Sequence, residues 1–98
     1  MKSKPYRLSP RAEADLEKIW LYTYENWSIA QADEYIKSFV SIFEALAAGT
    51  KQGKPVEVRA NYQKCICGSH MIYFLDYPDQ LDIIRILHQR QDVNSHLK

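Results

Sequence analysis

The most informative apolar stretch lies between positions 81 and 88, near the end of the chain. These residues are rich in leucine and isoleucine and follow the turn-forming run Tyr77-Pro78-Asp79-Gln80, which predicts a β-strand rather than a helix. Side chains alternate between the two faces of a strand. One predicted face carries Leu81, Ile83, Arg85 and Leu87, and the other carries Asp82, Ile84, Ile86 and His88. Both faces are mostly apolar, which predicts a central strand covered by helices on at least one side.

Two amphipathic helices are predicted upstream of this strand. The first follows Ser9-Pro10, a favoured N-cap and a favoured first helical residue. Its apolar stripe has the 3.6-residue period of a helix and consists of Ala12, Leu16, Ile19, Trp20, Thr23, Tyr24 and Trp27. The second begins at a capping box from Ser28 to Gln31 and ends at Gly49. Its stripe consists of Ala32, Tyr35, Ile36, Phe39, Ile42, Phe43 and Leu46. The short connection predicts an antiparallel helical hairpin.

The remaining elements are short strands. A strand is predicted at 6–8, and two more at 62–67 and 70–76 are joined by Gly68-Ser69, a pair typical of a type II′ turn. The strand at 81–88 then completes an antiparallel meander. The order is β-α-α-β-β-β, an α+β domain over residues 1–98 with the helical hairpin packed on one face of a small, mainly antiparallel sheet. The other face of the sheet is expected to be bare and to bind a partner.

Composition limits the possible functions. The chain has 98 residues and a net charge of +1, so no overall field favours non-specific nucleic-acid binding. We expect contact with DNA only indirectly, through a partner protein. The basic start is followed by no apolar run, which argues against a signal peptide. No stretch reaches the roughly twenty apolar residues that span a bilayer. We therefore expect a cytoplasmic protein without membrane contact.

The two cysteines, Cys65 and Cys67, are separated by one residue, a spacing that suits a disulfide poorly. With His70 they suggest a metal site, but a structural zinc site needs four ligands in recognisable spacing. Free thiols in the core are the favoured interpretation. We expect no metal and no cofactor.

The candidate functional residues are basic. The loop from 50 to 60 carries Lys51, Lys54 and Arg59, and it is either a solvated loop or a binding loop. A metal-free nuclease would need a base near neutral pH and cations for phosphate, which His88, Arg85 and Arg90 could supply. Each has an alternative role: His88 as a structural or partner-facing residue, Arg85 in an ion pair with a helix carboxylate, and Arg90 as a protein contact.

Several stretches together resemble the ParE toxins of the ParE/RelE superfamily. They are Tyr6–Leu16, Ile19-Trp20, Trp27, Gln31-Ala32, Tyr35, Gly68–Phe74 and Ile84–Val93. The most specific is the ending arginine–aliphatic–leucine–histidine–x–x–x–aspartate. The loop at 56–62 matches only loosely. The resemblance covers nearly the whole chain and implies the fold described above.

The resemblance also implies a function. The protein would be the toxin of a bacterial type II toxin–antitoxin pair, of the kind involved in plasmid stabilisation and growth inhibition. It would bind DNA gyrase without catalysis and be neutralised by a ParD-like antitoxin in a hetero-oligomer. We expect gyrase contacts at Arg59, His88 and Arg90, and antitoxin contacts at Tyr73, Ile84, Arg85 and Ile86.

Two alternatives remain open. The RelE-like branch cuts messenger RNA on the ribosome and commonly uses a tyrosine close to the C-terminus, whereas the last tyrosine here is Tyr77. That difference weakens the endonuclease hypothesis, in which His88, Arg85 and Arg90 would be catalytic. The third hypothesis is a degenerate toxin that only binds an antitoxin.

Overall fold

A computed structural model describes residues 3–91 and 96–97. Its elements are β1 (Tyr6–Leu8), α1 (Pro10–Asn26), α2 (Ile29–Ala48), β2 (Lys54–Pro55), β3 (Tyr62–Cys67), β4 (His70–Asp76) and β5 (Leu81–His88). The strands form one sheet in the order β1-β5-β4-β3-β2. β1 is parallel to β5, and the other neighbouring strands are antiparallel. The predicted fold is confirmed, with β2 as an additional strand.

Both helices begin where their N-cap residues predict, and α2 ends where Gly49 predicts. The Ser9 hydroxyl accepts a hydrogen bond from the Ala12 N–H at 3.0 Å, and the Ser28 hydroxyl accepts one from Gln31 at 3.1 Å. Gly49 ends α2 in the left-handed conformation, with φ +78°. These contacts satisfy backbone groups that a helix terminus would leave unpaired.

The core lies between the helices and the sheet. Phe39 and Phe43 of α2 are fully buried, as are Ile72 of β4 and Ile83 of β5. Burying each phenylalanine contributes about 2 kcal/mol or more. Cys65 and Cys67 belong to the same core as free, buried thiols, which confirms their predicted role. Burial raises the pKa of both thiols.

A β-bulge in β5 corrects the predicted faces of that strand. Ile83 pairs with Phe74 and Arg85 pairs with Tyr73, so Ile84 has no opposite residue. An extra residue reverses the alternation beyond it. Leu81 and Ile83 consequently pack in the core under the helices, whereas Leu87 packs with Tyr73 on the other face.

The face of the sheet away from the helices, here called the far face, is not bare. Val56 from the loop before β3 and Leu97 from the tail pack on Tyr73 and Leu87, and all four side chains are at least nine-tenths buried. The prediction of an uncovered face was wrong because the chain's own loop and tail cover its apolar centre.

The loop predicted from 50 to 60 also differs from expectation. Lys54 and Pro55 form β2 and pair with Lys64 and Gln63 of β3. Proline and lysine are typical of edge strands, where they discourage further pairing. Within residues 3–91 and 96–97, no helix is long and apolar enough to cross a membrane.

Candidate functional site

A groove of about 1020 Å³ lies between the helical hairpin and the ends of β4 and β5. All three histidines of the chain, His70, His88 and His96, line it. Its rim includes Tyr22 and Trp27 of the helical hairpin. These aromatic side chains are 63% and 61% exposed, with ring centroids 6.3 Å apart. The groove therefore combines exposed aromatic surface with a polar floor.

Tyr35 of α2 attaches the β3–β4 turn to the helices. Its phenol oxygen lies 3.1 Å from the Cys67 carbonyl and 2.8 Å from His70 Nδ1, and it accepts a hydrogen bond from the Ser69 N–H at 3.1 Å. A phenol has one proton to donate. All three contacts are satisfied when the phenol donates to Cys67 and the His70 Nδ1–H donates to the phenol. This arrangement leaves His70 Nε2 as an acceptor.

His70 and His88 form a cross-strand pair at the floor of the groove. They lie opposite each other in β4 and β5, with ring centroids 5.4 Å apart and an interplanar angle of 81°. Burial, and secondarily the neighbouring His88, lower the pKa of His70, while Asp15 opposes the shift. His88 Nδ1 accepts a hydrogen bond from the Arg90 N–H at 3.2 Å. The neutral imidazole is thus the favoured form of His70.

Arg85 is held by Asp15 of α1. Its Nε and Nη2 lie 2.8 Å and 2.9 Å from the two carboxylate oxygens, and Asp15 also accepts the Ile86 N–H at 2.9 Å. Hydrogen bonding to Asp15 raises the pKa of Arg85 against the opposing effect of burial. β1 pairs with Leu81–Ile83 only, and beyond it the Asp15 carboxylate accepts the Ile86 N–H at the same edge of β5. Arg85 therefore has the predicted ion-pair role.

Comparison with known proteins gives the family. A family described as the ParE toxin of the type II toxin–antitoxin system parDE matches residues 6–93. This chain belongs to the ParE toxin family.

Curated relatives agree with this ParE assignment. "Toxin ParE1" of Caulobacter vibrioides is 40% identical over 95 residues, covering 96% of this chain and 98% of the relative. "Toxin ParE1" of Mycobacterium tuberculosis is 37% identical over 97 residues, covering 97% and 99%. A chain of the solved structure "Chromosomal ParDE TA system from P. aeruginosa" has a TM-score of 0.74 and 18% identity, covering 88% of this chain and 95% of that one, which supports the fold.

The residues predicted to bind the target of this ParE chain do not form one cluster. His88 lies in the groove and Arg90 is exposed just beyond it. Arg59 lies on the far face, where its guanidinium is 5.4 Å from the Tyr62 ring centroid and donates to the Leu97 carbonyl. Asp92, which ends the arginine–aliphatic–leucine–histidine–x–x–x–aspartate motif, and the following Val93 lie outside the described residues.

The residues predicted to contact an antitoxin are mostly covered by the ParE chain itself. Tyr73 and Ile86 are 8% and 3% exposed, Ile84 is half-buried, and Arg85 is held by Asp15. Their contact with an antitoxin stays a prediction, but they do not form an open face in this structure.

Sequence reasoning missed the aromatic rim of the groove. It placed Trp27 on the buried stripe of α1, but Trp27 is the residue after the helix and lies beyond the last packed turn. The N-cap Ser28 directly after it was the available signal that the helix had ended. Tyr35 and His70 were also missed, because their meeting requires α2 to lie across the β3–β4 turn.

Proposed function

We propose that this ParE-family toxin acts by binding DNA gyrase in the cytoplasm, without catalysis, and that a ParD-like antitoxin neutralises it. The observation that carries the proposal is the family match, which extends from residue 6 to residue 93. The relatives named as ParE toxins are matched over nearly their whole length. The proposal therefore rests on sequence similarity along the chain as well as on the fold.

The geometry favours binding over catalysis. Phosphodiester cleavage needs cations directed at the developing charge, but Arg85 uses its guanidinium on Asp15. The last tyrosine, Tyr77, lies in the turn before β5, whereas His88 ends that strand. The length of β5 separates these two ends by about 23 Å. Tyr77 and His88 cannot act on the same phosphate.

The rim of the groove is the surface best suited to the antitoxin. Exposed aromatic side chains are typical anchors of protein interfaces, and Tyr22 and Trp27 lie next to each other at the rim. An antitoxin segment with an apolar face could fold on docking there. Because the centre of the far face is already covered, the groove replaces that face as the proposed binding surface.

Gyrase assays test the proposed target. Purified protein should lower the rate of supercoiling of relaxed plasmid and raise the yield of linear, cleaved DNA. Addition of the antitoxin should reverse both effects. Unchanged gyrase activity at micromolar protein would count decisively against the target.

Co-purification tests the proposed antitoxin surface. Trp27→Asp should abolish co-purification with the antitoxin encoded beside the toxin, because a charge would replace the aromatic anchor. Leu21→Asp is the matched control, since Leu21 is 49% exposed on α1 but does not line the groove. Equal retention of both variants on the antitoxin would exclude the groove as the docking surface.

A ribosome-dependent endonuclease is the second candidate function. The observation in its favour is the His70–His88 pair, since two imidazoles side by side can serve as base and acid. The endonuclease function would be supported if the protein cleaves a translated message and the His88→Gln and Arg90→Ala variants do not. Unaffected growth on expression without the antitoxin would instead favour a degenerate toxin that only binds its antitoxin.

A further inference from the structure

The small net charge of the chain conceals two oppositely charged layers. The helical layer, residues 10–48, has three cations and seven carboxylates, a net charge of −4. Residues 3–9 and 49–91, which form the sheet and its loops, have eight cations and four carboxylates, a net charge of +4. A basic layer of this kind attracts polyanions.

Three cations of the sheet layer meet on the far face at one edge of the sheet. Lys64 lies opposite Tyr73 and therefore on the same face as that far-face residue. Lys54 lies opposite Lys64, and Arg59 lies over the ring of Tyr62 in the same region. We call Lys54, Arg59 and Lys64 the basic patch.

The basic patch lacks internal compensation among the residues that the structure describes. The four ion pairs in that part of the chain involve Lys4, Arg7, Lys37 and Arg85, and none involves the patch. Like charges directly opposite each other destabilise a sheet. Edge protection accounts for Lys54, but Lys64 lies on the next strand inward, so a role in stability does not explain the pair.

The surroundings of the basic patch favour a nucleic acid over an acidic peptide. A peptide would need apolar contacts beside the charges. The apolar centre of the far face, formed by Val56, Tyr73 and Leu97, is already buried, and only the single side chains Val58 and Ile66 are exposed near the patch among the described residues. A phosphate backbone needs only accessible cations, and both Lys54 and Arg59 are exposed.

We propose that the basic patch binds the phosphate backbone of duplex DNA directly. The contact is independent of base sequence, because the three cations are long side chains that contact phosphate rather than base edges. The helical layer, with its net charge of −4, faces away from the DNA. This inference does not depend on gyrase as the target, because the contact can be measured without gyrase.

Fluorescence anisotropy with a labelled 20-base-pair duplex tests the proposal. Binding should weaken as salt rises, with a slope of log K against log salt of about −2.7 for three phosphate contacts. The variant Lys54→Gln/Arg59→Gln/Lys64→Gln should bind about tenfold or more weakly at low salt, with a slope near zero. The matched control is Arg11→Gln/Lys18→Gln/Lys37→Gln, which removes the same charge from the helical layer and should keep most of the parent's affinity and its salt slope.

Several results would overturn the proposal. One is equal loss of binding in the two triple variants, which would indicate a response to net charge alone. Another is that no binding to the duplex is detected at low salt, or that the binding does not weaken as the salt concentration rises. A third is displacement of the labelled duplex by poly-glutamate as effectively as by unlabelled DNA at the same concentration of negative charge. That result would indicate an acidic protein as the partner instead. Because Arg59 also contacts Leu97, Lys54→Gln/Lys64→Gln should be measured too; its thermal unfolding should match the parent while its DNA binding weakens.

Discussion

At the scale of single residues, the fold changes the chemistry of His70 most. Its ring contacts the Tyr35 phenol through Nδ1, lies beside His88 and is partly buried against α2. Each feature that lowers its pKa disfavours the imidazolium. The turn between β3 and β4 is therefore attached to α2 through a histidine whose neutral form the fold favours.

The stability of the protein should fall in mild acid because of His70. Its pKa in the folded protein lies below the 6.5 of the free side chain, so the unfolded state binds more protons between the two values. The contribution of neutral His70 to the free energy of unfolding is fully present above pH 6.5. It is lost as the pH falls from there through the lowered pKa of the folded protein. Urea unfolding at several pH values should show this loss in the parent and a shallower one in His70→Gln. Identical pH profiles would contradict the assignment.

Asp15 is the residue on which the ion pair of the β5 edge depends. It is 9% exposed and binds both Arg85 and the Ile86 N–H. Asp15→Asn should lower the free energy of unfolding by about 3 kcal/mol, because it leaves Arg85 without its counter-charge. Urea unfolding would measure the loss. Glu17→Gln, on the exposed side of the same helix, should change the stability by less than about 0.5 kcal/mol, and a similar loss in both variants would contradict this role for Asp15.

At the scale of elements, the sequence predicted the helix ends and the turn whose geometry depends on residues close together in the chain. The caps Ser9, Ser28 and Gly49 and the turn at Gly68 signal their geometry locally, and the structure has all four. The bulge at Ile84 has no such signal, since it arises where β5 pairs with β4. The covering of Tyr73 by Leu97 joins residues far apart in the chain. The wrong predictions, including the bare far face and the missed residues of the groove, therefore concern contacts between residues far apart in the chain.

Two glycines give a matched test of the turn. Gly49 and Gly68 both have positive φ, but a Cβ at Gly49 would meet nothing within 4 Å, whereas one at Gly68 would lie 2.6 Å from the Tyr35 phenol oxygen. Gly49→Ala should cost about 1 kcal/mol for the backbone conformation alone. Gly68→Ala should cost at least about 1 kcal/mol more, since the turn or Tyr35 must move. Equal losses in thermal or urea unfolding would show that Tyr35 does not hold this turn.

At the scale of the whole molecule, the chain has two different surfaces. The groove has an aromatic rim and a histidine floor, and it suits a folded protein segment. The far face is closed at its centre and basic at one edge. The two surfaces are separate, so a partner docked in the groove would leave the basic patch accessible.

The most direct test of the account is the stoichiometry of inhibition. Toxin should be titrated against gyrase at several fixed gyrase concentrations, well above the dissociation constant of the complex, with supercoiling as the readout. A toxin that acts by binding should give an end point that rises in proportion to gyrase, at a constant ratio near one toxin per binding site. Two results together would contradict action by binding to gyrase. Gyrase would remain active at every ratio of toxin, and messenger RNA would be cut when far less than one toxin per ribosome is present.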